Sequence, residues 1–213
     1  MNEAITYGLL AFTSFFTLIN PVGIMPVFMT ITNQLEAKER KRTALRATFI
    51  AYCFLLFFAI SGQSLFKFFG ISIDSLRVVG GMIFFLVGFD MLQARLGSVK
   101  VTKDEIHEYA NDVAITPLAI PIICGPGSIA NAIILMDSAS DDPFKVGALF
   151  IAITAVLLTT CLSLLSAGPI MKVLGDTGNK LMLRLMGLIV MVMAVEFFFA
   201  GLGPLVKRFI IVE

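Results

Sequence analysis

Charged residues in this chain gather into short blocks, and the stretches between them are continuously apolar rather than alternating. Each stretch reaches roughly 20 residues or more, enough at 1.5 Å per residue to cross a hydrocarbon core about 30 Å thick as an α-helix. A membrane barrel would instead need segments of about ten residues with alternating polarity. The runs predict helices at roughly 5–32, 47–66, 73–94, 113–136, 146–169 and 182–205. Composition agrees, with 58% hydrophobic residues, 15% charged residues and a mean hydropathy of +0.93. Soluble domains are about half apolar and about a quarter charged. The expected fold class is an all-α integral membrane protein with six transmembrane helices, and its first partner is the lipid bilayer.

Six crossings put both termini on one side. Loops 33–46, 95–112 and 170–184 carry Lys38, Arg40, Lys41, Arg42, Arg46, Arg95, Lys100, Lys103, Lys172, Lys180 and Arg184. The opposite side carries Lys67, Arg77, Lys145, Lys207 and Arg208. Basic loops stay in the cytoplasm, so this bias of eleven to five predicts cytoplasmic loops and external termini in a plasma membrane. The block from Lys38 to Arg42 has Glu39 within it and Glu36 just before it, and topology explains it together with a mild attraction to anionic head groups.

Sliding the chain against itself by 105 positions aligns Asn20-Pro21-Val22-Gly23 with Gly125-Pro126-Gly127-Ser128, Ser61 with Ser166, Lys67 with Lys172, and Gly70 with Gly175. A shift of 107 aligns Arg77-Val78-Val79-Gly80 with Arg184-Leu185-Met186-Gly187. The chain thus reads as one membrane domain, 1–213, of two repeats, 1–94 and 113–213, joined by the cytoplasmic loop 95–112. Each repeat holds three helices, an odd number, so the second enters the membrane inverted. Inverted repeats are a common architecture of secondary transporters, which alternate access around a midplane site.

The first helix of each repeat is broken. Asn20, Pro21, Gly23 and Pro26 interrupt the first, while Pro117, Pro121, Gly125, Pro126 and Gly127 interrupt the fourth. Proline removes a backbone donor, and unwound backbone survives in a membrane only where it is buried in protein or lines a cavity. Freed carbonyls suit a cation and restarting helix N-termini suit an anion, so a small zwitterion fits both. The candidate binding residues are Thr17, Asn20, Pro21, Gly23, Gly125, Pro126, Gly127, Ser128 and Asn131. Thr13, Thr17 and Asn20 share one helix face, as do Ser128 and Asn131. Gly80, in the third helix, touches no proposed ligand group.

Asp90 and Glu196 fall inside spans, about 20 Å and about 18 Å along their helices from Arg77 and Arg184. A charge at mid-bilayer costs about 2.5 to 3.5 kcal/mol, so each should face the bundle, a partner or water. Both are candidates for proton or sodium coupling. The spans contain no histidine and no second aspartate to pair with Asp90, and no phosphate-cradling motif is present, which argues against an enzyme or an ATP-driven pump. His107 stands among Asp104, Glu105 and Glu108 as a solvated loop residue. Cys53, Cys124 and Cys161 lack ligand-like spacing, and no metal or cofactor is expected. A passive channel and a non-transporting membrane partner stay open as alternatives.

These motifs resemble the MarC family of six-helix inner-membrane proteins, also called the neutral amino acid transporter family. The resemblance rests on Ile19 to Phe28, on Pro117 to Pro121 followed by Cys124 to Ser128, and on Arg184 to Leu188. It implies a bacterial or archaeal plasma membrane, external termini and, in some members, transport of small neutral amino acids such as glycine and alanine. Ile24 stands where relatives usually have Asn, and Glu196 where many have Gln.

Overall fold

The computed structural model describes residues 2–94 and 106–210, all in helices and short connections with no strand among them. Arg95, Lys100, Lys103, Asp104 and Glu105 of the expected linking loop lie outside the described residues, as does the side chain of His107. Five helical stretches are long and apolar enough to cross a membrane: Glu3–Ile31, Ala37–Phe69, Ile73–Leu92, Pro143–Ile170 and Lys172–Arg208. A sixth crossing is made if the pair Tyr109–Ile123 and Pro126–Ala139, bent by 58°, counts as one span.

The first stretch is two helices, α1 (Asn2–Ile19) and α2 (Pro21–Ile31), joined at Asn20. It ends in a short turn before α3 (Ala37–Phe69), which begins well before the expected 47. Residues 37–46 are mostly good helix formers, with Glu39 in the first turn, so the helix continues past the apolar run that sets the hydropathy boundary. Gly70 closes α3 with φ 64°, and the N–H of Ile71 bonds to Phe66 O at 2.9 Å, a left-handed cap that any other residue would strain. Ser72 then caps α4 (Ile73–Leu92) by accepting from the Ser75 N–H at 3.0 Å.

After α5 (Ile106–Val113) the chain passes through the irregular segment Ala114–Ile123 into α6 (Pro126–Ala139). The final helix, α7 (Pro143–Ile210), holds two candidate spans with no loop between them. The expected loop 170–184 is replaced by one bend at Gly175, whose φ of 66° and ψ of 179° belong to a region open essentially only to glycine.

Lipid supplies little hydrophobic drive between helices, so close packing of small residues has to hold the bundle together. The clearest case is α4 against the last part of α7. A Cβ on Gly88 would stand 2.8 Å from Gly187 O, and one on Gly201 would stand 2.5 Å from Asp74 O. The two helices therefore run antiparallel in backbone contact. At the centre lie α2 and α6, which carry buried residues along most of their length, with Phe15, Leu55, Leu118 and Leu157 packed around them. The outward faces carry exposed phenylalanine, leucine, isoleucine and valine, as a lipid solvent requires.

The two ends of the bundle are recognisable from its polar contacts. At one, Lys145 pairs with Glu3 at 3.4 Å, Tyr7 donates to Leu135 O, and Gln63 donates to Asp137. At the other, Tyr109 donates to Ile31 O at 3.0 Å and Thr43 reaches Ala110 O at 3.5 Å.

Candidate functional site

The first break begins with Pro21, which has no N–H to offer the carbonyl of Thr17. Asn20 turns the chain with φ 49° and ψ 67°, a left-handed conformation that asparagine tolerates better than most residues. Its Oδ1 then accepts from the Gly23 N–H at 3.0 Å, so the carbonyl of Ile19 also loses its usual helical donor. Gly23 must be small because its Cβ would stand 2.3 Å from Asn20 Nδ2.

The second break is built differently. Thr116 and Ile120 are extended, each ahead of a proline joined by a cis peptide bond, and the Cys124 N–H reaches back to Ala119 O at 2.8 Å. Gly125 stands at the N-cap of α6 in extended backbone and Pro126 at its first turn, with no side-chain cap. Both central helices therefore restart at a proline, the first under an asparagine cap and the second uncapped.

Between the two breaks lies a small cavity of about 50 Å³. Asn20, Gly23, Ile24 and Val27 form one wall, with Leu18 and Ile19 beside them, and Pro121 and Ile122 form a second. The third helices close it, with Phe84, Val87 and Met91 from α4 and Val190 and Met193 from α7. Asn20 contributes the lining's one polar side chain. Ile24 is also a lining residue and only 4% exposed.

Of the candidate residues, Asn20 and Gly23 line this cavity. Pro21, Gly125, Pro126, Gly127 and Ser128 are buried at the restarts but outside it. A Cβ on Gly125 would stand 2.3 Å from the Phe84 ring, and one on Gly127 would stand 3.3 Å from Leu18. Ser128, 1% exposed, reaches Ile123 O at 3.5 Å. Asn131 lies within α6, and its buried Nδ2 has no hydrogen-bond partner. Thr17 is exposed and gives its hydroxyl to Thr13 O at 2.9 Å, while Thr13 bonds back to its own helix. Asp90 is half-buried on α4, and Glu196 is exposed on α7 rather than turned into the bundle.

Three features escape a reading of the sequence. The third helices supply five lining residues, and 84, 87 and 91 follow the spacing of one helix face. Gly80, expected to be remote, packs on Pro126, where its Cβ would stand 2.3 Å from the proline Cβ. Arg40, read as one of a run of topological charges, donates to Thr32 O at 3.2 Å and to Leu35 O at 3.2 Å, covering the carbonyl end of α2.

A sequence profile of the MarC family, described as MarC family integral membrane proteins, matches residues 5–206. A UPF0056 membrane protein of Methanocaldococcus jannaschii is 37% identical over 201 residues, covering 92% of this chain and 96% of its own length. The UPF0056 membrane protein YvbG of Bacillus subtilis is 36% identical, covering 90% of this chain and 92% of its own. The UPF0056 membrane protein YhcE of Escherichia coli is 34% identical, covering 90% and 89%. No solved structure matches.

Proposed function

Because this chain belongs to the MarC family of integral membrane proteins, we propose that it is a multi-pass secondary transporter of small polar solutes, with small neutral amino acids as the first class to test. The observation that carries this reading is the cavity itself, which is walled in part by unwound or restarting backbone from two separate proline breaks. Irregular backbone at that depth is tolerated where it lines a solute path. Asn20 Nδ2 offers a donor to a carboxylate, and the carbonyl of Ile19, which lacks its usual helical donor, offers an acceptor to an ammonium group.

In this reading the chain is one domain of two inverted repeats, and the bent pair counts as the sixth crossing because its ends lie at opposite ends of the bundle. Gly70 and Gly175, 105 positions apart, support the repeat: they are the two glycines with positive φ among the described residues. The basic residues put both termini outside the cytoplasm. Asp90, half-buried beside the α4 lining, is the preferred site for proton or sodium coupling.

The test is uptake of glycine and alanine by purified protein in lipid vesicles. Accumulation above equilibrium under an imposed proton or sodium gradient is the expected result. Equilibration without accumulation would make the protein a passive channel, and absence of flux across the amino acids would leave it a membrane partner without transport.

A further inference from the structure

We propose that Tyr7 and Tyr109 are a matched pair of latches, one at each end of the bundle, whose separate release opens the cavity to one side of the membrane at a time. The proposal rests on the transporter reading above and adds the device that makes access alternate.

The chain has three tyrosines, and each ties a residue of 1–94 to one beyond it. Tyr7, near the start of the first broken span, gives its hydroxyl hydrogen to the carbonyl of Leu135, near the end of the second. Tyr109, near the start of the second, gives its hydroxyl hydrogen to the carbonyl of Ile31, the last residue of α2, at 3.0 Å. The start of each broken span thus holds the end of the other. The exchange is reciprocal, as two inverted halves require. The third bridge, Tyr52 with Thr154 Oγ1 at 3.2 Å, joins α3 to the first part of α7.

The two latches flank the cavity. Asn20 lies about 20 Å along the helix from Tyr7 and about 16 Å from Ile31, so one bond sits well to each side of the break. Both bonds are made in this structure, and the cavity is small. In this proposal the arrangement with both latches made stands between the two open states of an alternating carrier. Both hydroxyls are half-buried, so each bond persists while water is kept from its carbonyl and yields once water replaces it. Release of Tyr7 would free the end bearing Glu3 and Lys145, and release of Tyr109 would free the end bearing Thr43. The carbonyl of Ile31 belongs to the last turn of α2, where no helical donor remains, which makes it a natural acceptor for a side chain from elsewhere.

Replacing tyrosine with phenylalanine removes one oxygen and keeps the ring. The reporter is Val87→Cys in a chain whose Cys53, Cys124 and Cys161 are replaced by serine, reconstituted in vesicles and labelled from each side with an impermeant maleimide. Tyr7→Phe should raise the labelling rate from the Glu3 side, relative to the other, by about two- to twelvefold, the range for one neutral hydrogen bond. Tyr109→Phe should raise it by a similar factor from the opposite side. The double variant should return the ratio to that of the parent while both rates rise, and Tyr52→Phe should leave the ratio unchanged. Unchanged ratios in both single variants, or a shift of both toward the same side, would overturn the latches while leaving transport intact. Labelling of the parent from one side alone would overturn alternating access itself and the latches with it. The double variant also guards against a folding defect, because a damaged single variant would not regain the parent's ratio when a second bond is removed.

Discussion

Gly80 of α4 lies so close to Pro126 that a Cβ on the glycine would stand 2.3 Å from the Cβ of the proline. The third helix of the first half is therefore fitted to the restart of α6 in the second. Phe84, one turn further along α4, fills the space in front of Gly125 and also lines the cavity. The second break is held in shape by its neighbours rather than by a cap of its own.

Gly80→Ala is accordingly expected to destabilise the folded protein by about 1 to 3 kcal/mol, the usual cost of overpacking, and to slow uptake. Gly203→Ala is the matched comparison, since apart from its own turn of helix no atom lies within 4 Å of its Cβ position. Thermal unfolding in detergent, read beside vesicle uptake, checks both. Equal behaviour of the two variants would remove Gly80 from any role at the break.

Asn20 carries both a cap and an unusual backbone conformation, and two substitutions separate them. Asn20→Gly keeps the left-handed turn and loses the bond to the Gly23 N–H, at a cost of a few tenths of a kcal/mol. Asn20→Ala loses the cap and strains the turn, with an expected cost of about 2 kcal/mol. Unfolding midpoints should rank the parent above Asn20→Gly and Asn20→Ala last, while both variants bind solute more weakly than the parent.

Arg40 spans the Thr32 and Leu35 carbonyls with its planar fork, a geometry that lysine cannot reproduce. Arg40→Lys should lose most of what Arg40→Gln loses, about 1.5 kcal/mol, although it keeps the charge. Full recovery of the unfolding midpoint by lysine would mean that charge alone is required there.

Asp90 and Glu196 should separate in function. Asp90→Asn is expected to abolish accumulation driven by an ion gradient while downhill flux persists. Glu196→Gln is expected to leave accumulation and its pH profile as they are, because Glu196 faces outward. A changed pH profile in Glu196→Gln would move the coupling site to α7.

For topology, single cysteines at Glu3 and Lys41, both exposed, should label from opposite sides of intact cells. An impermeant reagent outside the cell should reach position 3 and not position 41. The reverse pattern would invert the whole assignment.

Much of this architecture is legible from local chemistry. Apolar length marks the spans, and proline beside glycine or asparagine marks both breaks, because the missing N–H and the left-handed turn are properties of single residues. What escapes is whatever depends on which faces meet. Hydropathy ends α3 at the edge of its apolar run, although the helix runs on through charged residues. The lining from Phe84, Val87 and Met91 reads as ordinary helix surface until α4 is packed against α7. The tyrosines left a trace: Tyr7 stands near the start of the first half and Tyr109 just before the second, at nearly the repeat spacing.

The 33 residues of α3 give it a length of about 50 Å, well beyond a hydrocarbon core of about 30 Å. Its overhang at the basic end carries Lys41 and Arg42 exposed, while Arg40 turns back to hold α2. The helix thereby acts as a depth gauge. Charge there favours the head groups, and Arg40 ties that end of α3 to the end of α2. A bundle seated in this way tolerates thicker or thinner acyl layers by sliding more or less of α3 into water. Salt that screens the head groups, as well as lipid chain length, is then a variable that shifts its position.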